Sequence, residues 1–540
     1  MRHKYVLPGI LLAALCLQTG CSSGSSSSGG SSSGGSGGTT TSTDMGTLLM
    51  PGYTYKFQLK NAATGMVLGI KDQSQSAGAY VVQESNTSSD DSMWHFVPAV
   101  YSSDEMVIEN MLTHEVMGFS ASTPSSVGLP TASGVASAGT QLIQDSETGT
   151  DDQDWQFYQL TDGNYLIKNH YSGLYLEVLN SDTATTATIT QGSRSSTETG
   201  CTCQEWKLVN SSVNAYTDSL TVSGSGIYVH DPYMLRDANG TYWLYGTHNT
   251  LATSTDLSTF TTVSNGDITP YPSWWSLINT ESTGPDMWAP SLYYDASTTT
   301  YYQYYSLPVE PDTVGGEALI AMLTSASPSG PWTEPSTPEV ITQSWSNTTN
   351  AVPSSLGSEF GFVQGTADNA IDPAPFVDAS GTRWLVFGSW FDGTHLLRLK
   401  QDGTVDSSYT PTRIAFRYWG EEGPFIYPWV VNGTQYYYYF APINACCSAN
   451  STYRIIYGRA NSPEGPYYDR AGNKLTDQGG TILLSTHGSI VGPGGQSVFT
   501  DVVDGVQTPT LVYHYYNSSG VGTLGLNRLS FTDDGWPYIK

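Results

Sequence analysis

The chain has 540 residues, a length that suits two ordinary domains once targeting and linker sequence are set aside. A formal charge of −28 argues against nucleic acid or an anionic membrane as partner, because the Lys and Arg that neutralise phosphate are missing. Aromatic residues are abundant, with 36 Tyr and 14 Trp, while charged residues make up only 13%, a balance typical of exported proteins that handle neutral polysaccharide.

The basic start Arg2-His3-Lys4 is followed by an apolar run from Tyr5 to Leu17, too short to span a bilayer as a permanent helix. Residues 1–21 read as a lipoprotein-type signal peptide, with Cys21 as the expected lipidation site, although Gln18 stands where a lipobox usually has an aliphatic residue. Residues 22–43 contain only Ser, Gly and Thr, and 22–49 read as a flexible tether. The Ser/Gly/Thr stretch has a root-mean-square reach of about 25 Å. The folded region carries Cys201, Cys203, Cys446 and Cys447. Neither pair has ordinary disulfide spacing, and no Cys/His cluster has the pattern of a zinc site.

Residues 50–210 hold a threefold repeat. Phe57-Gln-Leu-Lys-Asn61 precedes Thr64-Gly65, Val107-Ile-Glu-Asn110 precedes Thr113, and Leu166-Ile-Lys-Asn169 precedes Ser172-Gly173. Each copy then reaches a tryptophan, Trp94, Trp155 or Trp206, the last two within Gln-x-Trp. This region resembles the ricin-type β-trefoil, a carbohydrate-binding module, and the tryptophans are read as core. The resemblance places a sugar-binding acid just after the strand that follows the glycine turn, where Gly69, Gly118 and Glu177 stand. Only the third copy keeps the acid there, so Glu177 is the expected binding residue. A spacer role is the alternative.

After a connector at 211–225, residues 226–540 read as strands and turns without an amphipathic helix. One short paragraph recurs five times: a Pro-marked segment, a polar turn, then an aromatic and β-branched run. The copies are Asp231-Pro232 before Tyr242–Tyr245, Ala289-Pro290 before Tyr301–Tyr305, Asp372-Pro373 before Arg383–Phe387, Glu422-Gly-Pro424 before Tyr436–Phe440, and Gly492-Pro493 before Leu511–Tyr516. Such a repeat predicts a five-bladed β-propeller, in which equivalent positions gather around one axis. The chain is thus expected to be all-β, a trefoil followed by a propeller, with Asp231, Asp372 and Glu422 converging.

Val229-His-Asp231-Pro232, Met287-Trp-Ala-Pro290, Asn369-Ala-Ile-Asp372-Pro373, Phe387-Gly-Ser389, Glu422-Gly-Pro424, and Cys446-Cys447 before Ser451-Thr-Tyr453 together resemble the endo-arabinanase branch of glycoside hydrolase family 43. The resemblance implies an inverting hydrolase of α-1,5-linked L-arabinan, in which Asp231 matches the general base, Glu422 the general acid, and Asp372 the carboxylate that orients and tunes the acid. His230, Asn369 and Ser389 are expected to bond substrate hydroxyls or the acids, and Trp288 to stack on a sugar ring. Glu421 is out of register, and Glu464-Gly-Pro466 aligns with the outer turn Ser329-Gly-Pro331, so neither is expected to be the acid. The chemistry needs no cofactor. Relatives carry Gly-Pro-Gly-His near a central calcium or other ion, whereas this chain reads Gly492-Pro-Gly-Gly495, which puts that metal in doubt and leaves His487 as the conjectured substitute. An arabinofuranosidase or xylosidase sibling, and a non-catalytic surface protein that binds glycan, are the alternatives. The expected partner is plant cell-wall polysaccharide, with membrane contact only through the lipid anchor.

Overall fold

The computed structural model describes residues 44–540 apart from 86–87, 101, 120–136, 195–200, 264–270, 272–285, 309–317, 335–339, 344–369, 391–392 and 418–419. The signal peptide with Cys21, the Ser/Gly/Thr tether to residue 43, and Asn369 lie outside the described residues. Among the described residues the chain is all-β, and helical structure is confined to three-residue 3-10 turns.

The first unit is one 13-stranded sheet network with threefold internal repetition. Trp94, Trp155 and Trp206 are all fully buried. Each indole N–H donates to a main-chain carbonyl, that of Leu68 (3.0 Å), Met117 (3.1 Å) and Leu176 (2.9 Å) respectively. A buried indole needs such an acceptor, so the ring both fills the core and fixes the neighbouring strand. The repeated asparagines act in the same equivalent way, with Asn61, Asn110 and Asn169 donating to the carbonyls of Cys203, Asp91 and Asp152.

The second unit consists of five four-stranded antiparallel sheets. Blade one runs from Tyr233–Arg236 to Thr261–Thr262, blade two from Trp288–Asp295 to Val340–Gln343, and blade three from Ala374–Val377 to Thr412–Ala415. Blade four runs from Phe425–Val431 to Thr481–Leu484 and blade five from Val491–Val503 to Pro537–Ile539. The aromatic runs found in sequence are the second strands. Their side chains are buried between sheets: one apolar cluster joins Met234 and Leu244 of blade one to Phe499 and Val512 of blade five, and another joins Tyr304 of blade two to Leu385 of blade three. The circle closes through the segment before blade one. Leu220 N–H bonds Leu526 O (2.8 Å), Val229 N–H bonds Gly522 O (3.1 Å), and Asn527 donates to the carbonyls of Thr217 and Asp218.

The trefoil's second repeat lies against blade four through a polar contact. Arg454 and Glu147, both buried, pair at 3.0 Å, Asn444 donates to Glu147 (3.0 Å), and Arg454 also donates to Pro98 O (2.8 Å). Ser146 donates to Asp469 (2.7 Å) and Asn473 to Asp145 (3.2 Å). Despite their spacing, Cys201–Cys203 and Cys446–Cys447 both form disulfides. Because Glu147 is fully enclosed, Arg454→Met is expected to strand a buried charge and cost about 3–5 kcal/mol. The double change Arg454→Met with Glu147→Leu should recover much of that loss in urea denaturation. Equal losses in both variants would mean that the ion pair is not what holds the contact.

Candidate active site

Each blade opens on a residue with left-handed backbone: Asp231 (φ 48°), Ala289 (42°), Asp372 (56°), Gly423 (46°) and Gly495 (54°). These five, each with the two residues that follow, line a pocket on the propeller axis. The ring corrects the sequence register in two places. In blade four Gly423 holds the ring position and Glu422 stands one residue upstream. In blade five the ring residue is Gly495, three after the expected Gly492, because the first strand is irregular on both sides of Gly494 and the extra residues shift the pairing.

Main-chain amides of this ring are captured by neighbouring blades. Ala289 N–H donates to Thr247 Oγ1 of blade one (3.0 Å), Asp372 N–H to Ser306 Oγ of blade two (3.0 Å), and Asp231 N–H to His514 Nδ1 of blade five (3.1 Å). In blade three the position matching Thr247 and Ser306 is Gly388, by counting two residues past the pairs Tyr233↔Tyr245, Ser291↔Tyr304 and Ala374↔Val386. Gly388 has no side chain to offer, and the Gly423 N–H is taken by the carboxylate of Asp372 instead (Oδ2, 2.9 Å). That bond ties Asp372 to the peptide directly after Glu422.

The three acids are half-buried and occupy unlike surroundings. Burial opposes ionisation of Asp231, but the charge and hydrogen bond of His230 (2.8 Å) and the bond from Thr247 (2.6 Å) outweigh it and hold its carboxyl well below the usual range. His514 is kept neutral by burial and the like charge of His230. With Nδ1 accepting from Asp231 N–H, the proton of His514 sits on Nε2 and reaches Tyr516 OH (2.9 Å), which lies 2.8 Å from His230 Nε2. Asp231 is thus bonded at both its amide and its carboxylate by one loop of three side chains. Glu422 is pushed up to about 8 by burial and then by the charge of Asp372, against a lowering bond from the Trp390 indole N–H. Burial and the charge of Asp231 raise Asp372 to about 7. Near neutrality the site therefore offers a proton acceptor at Asp231 and a proton donor at Glu422.

The other expected residues are placed unevenly. His230 joins the site as described, stacked on His514 at 3.9 Å. Trp288 is half-exposed, its indole fixed by Asp286 (2.7 Å) one residue before Ala289 of the ring. Ser389 is fully buried, and its Oγ meets no hydrogen-bond partner among the described residues. Glu421 sits among Arg417, Tyr439 and Thr394, and Glu464 is exposed with Tyr409 donating to it. His487 is not the axial substitute: it is buried beside Tyr216, with Nδ1 2.7 Å from Ser485 O. The histidine at the axis is His514, and the glycine at 495 makes its room, since a Cβ there would lie 2.6 Å from that ring and 2.4 Å from Asp231 Oδ1. His230, Asp231 and His514 are the described group close enough to share an ion. Two imidazoles and one carboxylate do not fit calcium, which takes six to eight oxygens, and their donor atoms are already hydrogen-bonded. Sequence reasoning missed Trp390, one residue past Phe387-Gly-Ser389, and Thr247, His514 and Tyr516, which only strand pairing brings to the axis.

The trefoil also needs a correction. Glu177 and Gly192 are diagonal neighbours across paired strands, and the carboxylate of Glu177 lies over the glycine, held by Gln204 Nε2 (2.9 Å). In the first repeat the pair is reversed: Gly69 stands at the Glu177 position, and Glu84, matching Gly192, lays its carboxylate over Gly69. The second repeat carries Asp145 at the Glu84 position, where Asn473 of the propeller binds it. All three copies therefore hold an acid, two of them on the opposite strand.

Residues 225–537 match the family described as glycosyl hydrolases family 43, and 48–129, 102–192 and 152–245 match the ricin-type beta-trefoil lectin domain-like family. The extracellular endo-alpha-(1->5)-L-arabinanase 1 of Bacillus subtilis is 33% identical over 319 residues, covering 57% of this chain and 87% of the relative. Arabinan endo-1,5-alpha-L-arabinosidase C of Emericella nidulans is 33% identical over 270 residues, covering 47% and 74%. Among solved structures, the GH43 endo-arabinanase from Bacillus licheniformis is 29% identical with a TM-score of 0.48, covering 59% of this chain and 99% of that one. The five-bladed unit and its family match agree: the chain belongs to glycosyl hydrolase family 43 and carries a ricin-type β-trefoil lectin-like module ahead of the hydrolase.

Proposed function

We propose that the protein hydrolyses α-1,5-linked L-arabinan with inversion, as an exported enzyme tethered through Cys21. Asp231 takes a proton from water as its oxygen attacks the anomeric carbon. The glycosidic bond breaks, and the leaving oxygen takes the proton of Glu422. Asp372 acts through Glu422, orienting it and keeping its proton on. The observation that carries this reading is the pair of opposed environments, with Asp231 held ionised by His230 and Thr247 and Glu422 pushed to about 8 beside Asp372. The arabinan-cleaving names of the relatives support the substrate. The trefoil, with its acids at Glu84 and Glu177, would hold cell-wall polysaccharide. The basic start, apolar run and Cys21 support export with a lipid anchor.

Glu422→Gln is expected to lower turnover on linear arabinan by roughly 10²–10⁴-fold while binding to an arabinan affinity gel persists. Nearly full activity would refute the acid role. The kcat/KM profile should hold across weakly acidic to neutral pH, fall in acid as Asp231 protonates, and fall in alkali as Glu422 loses its proton near about 8. Trp390→Phe removes a bond that favours the Glu422 carboxylate, so its alkaline limb should move to higher pH. Asp372→Asn removes a neighbouring negative charge and should move that limb lower. An unmoved limb in both would show that another group titrates there. Labelled palmitate should enter the chain in a lipoprotein-processing bacterial host and be lost in Cys21→Ala. Equal labelling of both would place the anchor elsewhere.

A further inference from the structure

Tyr228 is 57% exposed, the most exposed Tyr among the described large apolar side chains, and it stands three residues before Asp231. It forms an antiparallel bridge with Thr523, while its neighbour Val229 is buried with Leu524 and Val512 in the cluster between blades five and one. Tyr228 stands two residues before His230, about 7 Å along an extended chain. His230 binds Asp231 at 2.8 Å. Tyr228 is therefore carried on the lip of the axial site, one step outward from the histidine that holds the acid.

Two further apolar groups adjoin it. Val521, 44% exposed, lies two residues before Thr523 and thus diagonally across from Tyr228 on the same face. The turn that carries it, at 517–521, rests on the loop of the half-exposed Cys446–Cys447 disulfide, since a Cβ on Gly520 would lie 3.1 Å from Ala449 N. Cys447 Sγ in turn lies 3.9 Å from both His230 Nε2 and Tyr516 OH. The exposed ring of Tyr228, the exposed Val521 and the half-exposed disulfide thus all lie around the segment that carries His230 to the acid site.

We propose that Tyr228, with Val521 and the Cys446–Cys447 disulfide beside it, forms a shelf that carries one sugar ring of a polymeric substrate next to the axial acids. The inference rests on the arabinan reading for the identity of the sugar. An exposed aromatic face suits the C–H surface of a furanose ring, and it contributes to holding a chain rather than to breaking the bond. The shelf makes Tyr228 a determinant of substrate affinity rather than of the bond-breaking step.

The test compares the full-length chain with Tyr228→Ala, Tyr228→Trp and the distant control Tyr538→Ala, which alters another exposed tyrosine in the last strand of blade five. Initial rates are measured on linear arabinan and on arabinotriose. Tyr228→Ala should raise KM for linear arabinan by about 3–10-fold and leave kcat on arabinotriose within about twofold. Tyr228→Trp should keep the parent KM and Tyr538→Ala should change neither. An unchanged KM for arabinan in Tyr228→Ala, or a fall in kcat as large as the rise in KM, would overturn the shelf. If the parent chain cleaves arabinoxylan and not arabinan, the substrate reading fails while the same comparison on arabinoxylan and a short xylo-oligosaccharide still decides the shelf. A parent chain that cleaves neither overturns both.

Discussion

Each blade turns its first strand toward a crowded axis, and there the opening residue adopts a left-handed conformation. In four of the five blades the amide of that residue is taken by a side chain of the preceding blade. Thr247, Ser306 and His514 do so from three blades. Where blade three presents Gly388, the acceptor is Asp372 itself. A main-chain bond of the propeller thereby positions an acid: the amide of Gly423 holds Asp372 beside Glu422. The ring of amides is the frame on which the rest of the site depends.

The same ring separates the behaviour of the carboxyls. Asp231 receives donors from two side chains and stays ionised, whereas Glu422 receives one indole N–H and faces two other acids. The difference arises from the number and sign of neighbours, since all three side chains are comparably enclosed. Gly495 fits this frame, because a side chain there would collide with His514 from the adjacent strand and with Asp231.

The two repeats, and with them both architectures, were legible in the sequence because each is marked by residues with a fixed structural duty. Trp94, Trp155 and Trp206 each donate one indole bond, and prolines mark four of the five blade openings. Asp231, Asp372 and Glu422 came out of the same pattern. What stayed hidden depended on pairing. The bulged first strand of blade five moved its ring residue from Gly492 to Gly495, and Glu84 could be equated with Glu177 only once the strands were laid diagonally against each other. Trp390 lies one residue beyond the matched motif, and His514 escapes a search for histidines near Gly492 in sequence because strand pairing, not sequence nearness, brings it to the axis.

The trefoil is fixed to blade four by its second repeat, where Asn473 occupies Asp145 and Arg454 meets Glu147. A threefold object bolted down by one face keeps two, and these point a third of a turn apart. A single taut strand cannot run along both at once, whereas two neighbouring strands of a mesh can each meet one. The hydrolase is then borne on a rigid bracket rather than a leash. Its distance from whatever those two faces hold is then set by the width of that bracket.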